Sequence, residues 1–197
     1  MKLGELANIT TGQMVKRKEA IPGEISCREY RMLTLKSFDA GGYLIEEKLD
    51  VFHSAEEIDE KYITQEGDVI VRLSSPYTSV TIDKQSVGLL IPSLFVVIRR
   101  KNRKILPEYI SVYLNSECMK KTYAKETSGS AIQIIKTSAF KEFELNIPDL
   151  RTQEKVVALN QLMLKEKKLL RELIEQIELK NAAVLTNILC GGRDNGY

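Results

Sequence analysis

The chain has 197 residues, enough for one domain with a real core and an appendage. Hydrophobic residues at 43% and charged residues at 28% describe an ordered soluble protein and exclude a disordered chain. A net charge of +2 selects no class of partner, no uncharged apolar run is long enough to span a bilayer, and "MKLGELANIT" lacks a signal peptide's apolar core.

Up to residue 150, short apolar runs alternate with turn signals. "YRMLTLKSF" (30–38), "GDVIVRLSS" (67–75) and "GLLIPSLFVVIRR" (88–100) have the partly β-branched character of strands. Gly41–Gly42, Pro76 and Pro92 punctuate them. "LPEYISVYLNSECMKK" (106–121) predicts one helix. Pro107 suits its first turn, where a missing N–H costs nothing, and Ile110, Tyr113, Leu114 and Cys118 follow at helical spacing. Cys27, Cys118 and Cys190 are odd in number and far apart, which predicts free thiols in a reducing cytoplasm. With a single histidine, His53, and no C-x-x-C pair, neither a zinc site nor any other cofactor is expected.

After Pro148 the texture changes. From Thr152 to Leu189 there is neither proline nor glycine, and Gly191–Gly192 supply the stop. Thr152 is the predicted N-cap, with Lys155 where a capping box has an acidic residue. With Val156 at heptad position a, the a series reads Val156, Met163, Leu170, Ile177, Val184. The d series, Leu159, Glu166, Leu173, Lys180, Asn187, is mixed, while Leu162, Leu169, Ile174 and Ile188 widen the stripe. Such a helix is roughly 57 Å long and cannot bury this stripe on a small globule. It calls for a partner helix, in a coiled coil or helix pair, with Leu159, Met163, Leu170, Leu173, Ile177 and Val184 in the interface. A helix folded back over its own domain is the alternative. Three segments follow: a domain at 1–150, a helical spacer and dimerisation region at 151–190, and a flexible tail at 191–197.

Catalytic signatures are missing. An adenine methyltransferase needs an Asp/Asn-Pro-Pro-aromatic motif, and the nearest match is "SSPY" (74–77), with no glycine-rich loop for a methyl donor. A nuclease Pro-Asp…Asp/Glu-x-Lys arrangement is in reverse order, since Pro148–Asp149 follows "EEK" (46–48) and "DEK" (59–61). Phosphate-loop and dinucleotide fingerprints are absent. The chain therefore reads as a binder. Residues 1–150 carry 21 basic and 21 acidic groups, but "VKRK" (15–18) and "RRKNRK" (99–104) cluster the basic ones. Basic clusters meet phosphates, or they are plain solvated surface.

Several phrases together carry a resemblance. "KLGELANITTGQ" (2–13), "EGDVIVRLSS" (66–75), "SLFVVIRRKNRKILPEYISVYLNS" (93–116) and "SGSAIQIIKTSAFKEFELNIPDLRTQEKVV" (128–157) follow one another in order. This series resembles the target-recognition domain of the specificity subunit of type I restriction-modification enzymes. The most specific phrase is "IPDLRTQEK", similar to that family's I-P-x-L-x-x-Q junction at Ile147, Pro148, Leu150 and Gln153. The resemblance implies an α+β fold, a mixed-sheet recognition domain followed by a long helix that spaces recognition domains and seats methyltransferase subunits. It also implies double-stranded DNA, methyltransferase subunits and restriction subunits as partners, with no catalysis in this chain. A full specificity subunit has two recognition domains and two helical regions, so this chain resembles a half-length form. Self-association about a two-fold is then the expected way to bury the stripe. Antiparallel helices would hold two recognition domains about 50 to 60 Å apart on a bipartite site.

Base readout uses Arg or Lys for guanine and Asn or Gln for adenine, with Ser and Thr less particular. Loops at 10–18, 72–79 and 127–136 offer such groups. The candidates are Gln13, Lys16, Arg17, Lys18, Arg72, Ser74, Tyr77, Ser128, Ser130, Gln133 and Lys136. Gly12 and Gly129 suit backbone turns. Within this scheme the 127–136 loop reads bases, and "RRKNRK" meets phosphates or serves solubility. The competing reading is a protein-interaction module assembled through its coiled coil.

Overall fold

The structure, a computed structural model, describes residues 1–20, 28–129 and 133–190. Helix α1 (Leu3–Leu6) leads into β1 (Ala7–Thr11). Strands β2 (Arg28–Met32) and β3 (Asp50–Ser54) form a two-stranded sheet. Strands β4 (Val69–Arg72), β5 (Ser79–Thr81) and β6 (Phe95–Arg100) join β1 in a four-stranded sheet, order β1-β6-β4-β5. Helices α2 (Pro107–Leu114), α3 (Glu117–Glu126), α4 (Thr137–Glu142) and α5 (Leu150–Cys190) follow. The ladders are antiparallel, and single parallel bridges join Gln13 to Pro92 and Met32 to Leu90, so the α+β fold has mixed pairing.

The central strands are continuous apolar runs because both faces of the sheet are buried. Val69, Val71, Val96 and Ile98 face one cluster with Ile110, Leu114, Tyr123 and Phe140 from α2, α3 and α4. Ile70, Val80, Phe95 and Val97 face a second cluster with Leu33, Phe38 and Ile91. Each such side chain contributes about 1.5–3 kcal/mol when fully buried.

All four predicted elements of the first 150 residues are shorter than their sequence runs, the 67–75 run forming a strand only at Val69–Arg72. The 30–38 run leaves its strand after Met32, because Thr34 and Ser37 exchange backbone-to-hydroxyl bonds of 3.1 Å and wind Leu35–Ser37 into a 3-10 turn. In 88–100 the regular strand starts only at Phe95, after Pro92, which cannot donate to a ladder. The single helix expected over 106–121 is two helices. Asn115 turns its amide onto the Ser79 backbone, accepting from its N–H and donating to its carbonyl at 2.8 Å each. Ser116 then caps α3 by accepting from the Met119 N–H. Cys118 is therefore exposed.

The "IPDLRTQEK" junction has a physical basis. Asp149, in place of the expected Thr152, caps α5: its carboxylate accepts the Thr152 hydroxyl at 2.8 Å and the Thr152 N–H at 3.1 Å. Those bonds, the hydroxyl's first, hold the Asp149 carboxyl below its ordinary value. Gln153 is fully buried. Its amide accepts from Leu106 N–H (2.9 Å) and donates to the carbonyls of Lys104 (3.0 Å) and Pro148 (2.9 Å). One glutamine thus ties the loop before α2 to the turn that launches α5.

The chain divides into two compact units, Met1–Val157 and a second from Ala158 onward. The first turns of α5 belong to the first unit, where Val156 and Val157 pack against its larger core cluster. In the second unit the helix continues without interruption to Cys190. Leu159, Met163, Leu170, Leu173, Ile177 and Val184 there are 47–60% exposed. The expected tail at 191–197 lies outside the described residues.

Candidate nucleic-acid interface

Strand register gathers loops that are remote in sequence. Thr11 at the end of β1 pairs with Val96, Arg72 at the end of β4 pairs with Phe95, and Val71 pairs with Ser79. The loops after β1, between β4 and β5, and before β6 therefore leave from one end of the sheet. The 127–136 segment is sewn to the same end. Ile135 N–H donates to the Leu73 carbonyl at 2.9 Å, Ser74 bridges Ile134, and the Tyr77 hydroxyl donates to the Gln133 carbonyl at 3.2 Å. The Thr11 and Thr137 hydroxyls meet at 2.6 Å. All three candidate loops thus share one surface.

Within that surface the candidates divide into presented and supporting side chains. Lys16 and Arg17 are exposed on the 3-10 turn Val15–Arg17 and have no ion pair among the described residues. Ser128, Gln133 and Lys136 are exposed, and Ser74 is half-buried. Lys18 is half-buried and paired with Glu56 at 3.0 Å. Gln13 is buried; its N–H donates to the Ile91 carbonyl and its carbonyl accepts from Ser93. Gly12 precedes it because the chain passes against Pro92, whose carbonyl oxygen would lie 2.2 Å from any Cβ. Arg72 braces the loop from within, donating to the carbonyls of Leu35 (3.2 Å) and Ser75 (3.0 Å), and burial lowers its pKa. Ser130 lies outside the described residues.

Tyr77 is buried and holds a left-handed backbone, φ 57°, which a bulky side chain adopts only when its surroundings compensate. Here the compensation is a ring contact with Tyr123 at 5.1 Å and the bond to Gln133. Tyr123 is itself buried, which pushes its phenol up and keeps it a neutral donor to the Leu114 carbonyl at 3.0 Å. Tyr77 therefore locks two loops together. Gly129, at φ 78° with open space around it, makes the turn that the sequence suggests.

Sequence reasoning missed Lys36, which is exposed on the turn that receives Arg72. It also missed Leu94, half exposed at the entrance to β6. Neither has a local signal, because both sit inside runs read as strands. The "RRKNRK" run sits at the other end of β6, about 17–20 Å from the loops at strand spacing. Its Arg99 is held by the buried Asp68 in two bonds of 2.8 and 3.0 Å, and Lys101 donates to the Gly4 carbonyl at 2.7 Å. Its backbone at Lys104 belongs to the Gln153 clamp. These groups stabilise the end of the sheet that joins α5.

Among the described residues no group of three His, Cys, Asp or Glu is placed to hold a metal ion. Cys118 and Cys190 are exposed free thiols, and Cys27 lies outside the described residues. No helix among the described residues is long and apolar enough to cross a membrane.

Known structures share this fold. A chain from a study of complex assembly and conformational transition of the type I R-M system superposes with a TM-score of 0.70 at 14% identity, covering 100% of this chain and 50% of that one. The HsdS subunit from Thermoanaerobacter tengcongensis gives 0.65 at 14% identity, with the same coverage. The type I restriction-modification S subunit from M. genitalium gives 0.52 at 14% identity over 92% of this chain and 43% of that one. The chain spans about half the length of the solved structures it matches. No curated protein sequence matches. Residues 1–179 match the family described as the type I restriction modification DNA specificity domain, and the chain belongs to that family.

Proposed function

We propose that this chain is the DNA-recognition subunit of a type I restriction-modification system. It has no catalysis of its own and directs adenine methyltransferase and restriction subunits to a bipartite site in cytoplasmic DNA. It works as a homodimer, the recognition domains reading separated half-sites and α5 serving as spacer. One observation carries the reading: three loops remote in sequence converge at one sheet end. There Lys16, Arg17 and Lys136, with no ion pair among the described residues, stand beside exposed Ser128 and Gln133. Lysines and arginines of this kind neutralise phosphates, while Gln133, Ser128 and Ser74 supply donors and acceptors for base edges. Lys36 extends the cationic rim.

The test is a salt titration of duplex binding. The logarithm of affinity should fall steeply with the logarithm of salt. Replacing Lys16, Arg17 and Lys136 with Ala should flatten the slope by up to about one for each phosphate that is no longer neutralised. Binding indifferent to salt would favour the protein-interaction module. The purified chain alone should neither methylate nor cut DNA, with methylation appearing when a methyltransferase subunit is supplied. Mapping methylated adenines in cells carrying that partner would then give the target sequence.

A further inference from the structure

Leu94 stands on the candidate surface without a role in the core. Its neighbours Ile91 and Phe95 are fully buried, whereas Leu94 is 50% exposed and joins none of the core clusters. Its backbone is firmly held. Phe95 N–H donates to the Pro92 carbonyl at 3.1 Å, closing a turn with Ser93 and Leu94 at its corners. On one side Ser93 N–H donates to the Gln13 carbonyl at 2.7 Å. On the other the Leu94 carbonyl accepts from Leu73 N–H at 3.0 Å. Turn corners favour Gly, Pro, Asn, Asp and Ser, so neither turn chemistry nor packing calls for a leucine here.

A lone exposed leucine is ordinary on a protein surface. This one has company. Ile134, also 50% exposed, lies beyond the Leu73–Ser74 segment, since Ile134 bridges Ser74 while Leu73 holds Leu94. Two strand spacings separate them, roughly 10 Å. Cations flank this apolar strip: exposed Lys16 and Arg17 follow Gln13 on one side, and exposed Lys136 follows Ile135 on the other. The matching partner carries negative charge at its borders and apolar groups between them. A DNA duplex has that layout. Phosphates border a major groove about 12 Å wide, and thymine C5-methyl groups are the apolar features of its floor.

We propose that Leu94 reads a thymine of the half-site through its C5-methyl group, at the centre of the apolar strip it shares with Ile134. This rests on the reading of the chain as a DNA-recognition subunit, and it adds an apolar contact to the polar ones of that surface. Adenine, guanine and cytosine present no methyl group in the major groove. Gln133, Ser128 and Ser74 discriminate by donors and acceptors, whereas Leu94 discriminates by the water that a methyl contact excludes. Because its turn is clamped on both sides, the side chain is placed before DNA arrives, and little ordering remains for binding to supply.

Deoxyuridine lacks only the methyl group of thymine and still pairs with adenine, so it tests the contact without altering the protein. Thymines of the cognate half-site, known from the methylation map, are replaced one at a time. For the full chain, one position should raise the duplex dissociation constant about 4-fold, as expected for one methyl group left in water. Leu94→Ala should weaken binding to the unmodified site by a similar factor or more, and deoxyuridine at that position should then have no further effect. The salt slope should stay unchanged, since leucine neutralises no phosphate. If no thymine responds, or if Leu94→Ala keeps the full deoxyuridine penalty, the inference falls. Equal weakening of cognate and scrambled duplexes by Leu94→Ala would also overturn it. So would bright 2-aminopurine fluorescence that Leu94→Ala abolishes, because the side chain would then be a wedge between bases. A wild-type chain without salt-dependent duplex binding would remove the functional reading itself, whereas a steep salt slope with no thymine response would remove only this contact.

Discussion

In α2, Ile110 and Leu114 are fully buried against the four-stranded sheet, whereas in α5, Leu170 and Leu173 leave 53% and 55% of their surface exposed. Both pairs are apolar residues at helical spacing, so the local pattern does not distinguish them. The first unit completes its own core on both faces of the sheet and pairs buried polar groups internally, as Asp68 with Arg99 and Gln153 with three backbone groups illustrate, while the buried Arg72 Nε has no partner among the described residues. The second unit has a stripe and, among the described residues, no surface that buries it. An amphipathic pattern therefore says that a face will be covered, and the length of uninterrupted helix says whether the chain itself can cover it.

The largest effect that would break this contrast comes from the stripe. Leu170→Lys with Leu173→Lys places two charges per chain at the centre of the seam and should cost about 5 kcal/mol or more of association. Sedimentation should report a monomer while the thermal unfolding of the first unit is unchanged. A persisting dimer would move the interface elsewhere. Next in size is the junction. Gln153→Ala removes a buried side chain and leaves the carbonyls of Lys104 and Pro148 and the Leu106 N–H unpaired, so unfolding of the first unit should weaken by about 3 kcal/mol. A change under half of that would mean that water or a shifted backbone replaces the clamp.

Smaller effects separate the two ends of the sheet. Gln133→Ala should cost about 1–3 kcal/mol on the cognate duplex and leave binding to a scrambled duplex almost unchanged. Equal weakening on both would remove this loop from sequence readout. Replacing Lys16 and Lys136 with Ala should lower the salt slope by up to about one each, while Lys101→Ala with Lys104→Ala at the opposite end should leave it unchanged. A reduced slope for the latter pair would show that DNA reaches the α5 end.

The smallest effect concerns the Asp149 cap. Its carboxyl is held below the ordinary 3.8 by the Thr152 bonds, so the cap's contribution is present above that value and is lost as pH falls through the lower folded value. Acid unfolding of Asp149→Asn should therefore lack this component, and identical acid limbs for variant and wild type would remove the cap from the pH dependence.

Much of this was legible in the residues. The apolar runs "VIV" and "FVVI" marked strands by their β-branched character, and the structure places both inside the sheet, covered on both faces. Pro107 marked the start of α2, and the absence of proline and glycine after Pro148 marked α5. The helix break at Asn115 was not legible, since it comes from a side-chain amide meeting Ser79, a residue on another strand. The same holds for the candidate surface. Gln13, Arg72 and Tyr77 have the chemistry of base readers, yet Gln13 and Tyr77 are buried and the half-buried Arg72 donates to backbone carbonyls, while Lys36 is exposed in a run with no motif.

By itself, then, the sequence determined the family resemblance, the strand-forming runs, the continuity of α5 and its polar d positions, because these depend on residue type and near-neighbour spacing. Only the tertiary structure decided which loops share a surface, which of their side chains are presented, and why Gln153 stands at the junction. Those outcomes rest on strand register and on bonds between residues far apart in the chain, as between Leu106 and Gln153, where no local pattern carries the information.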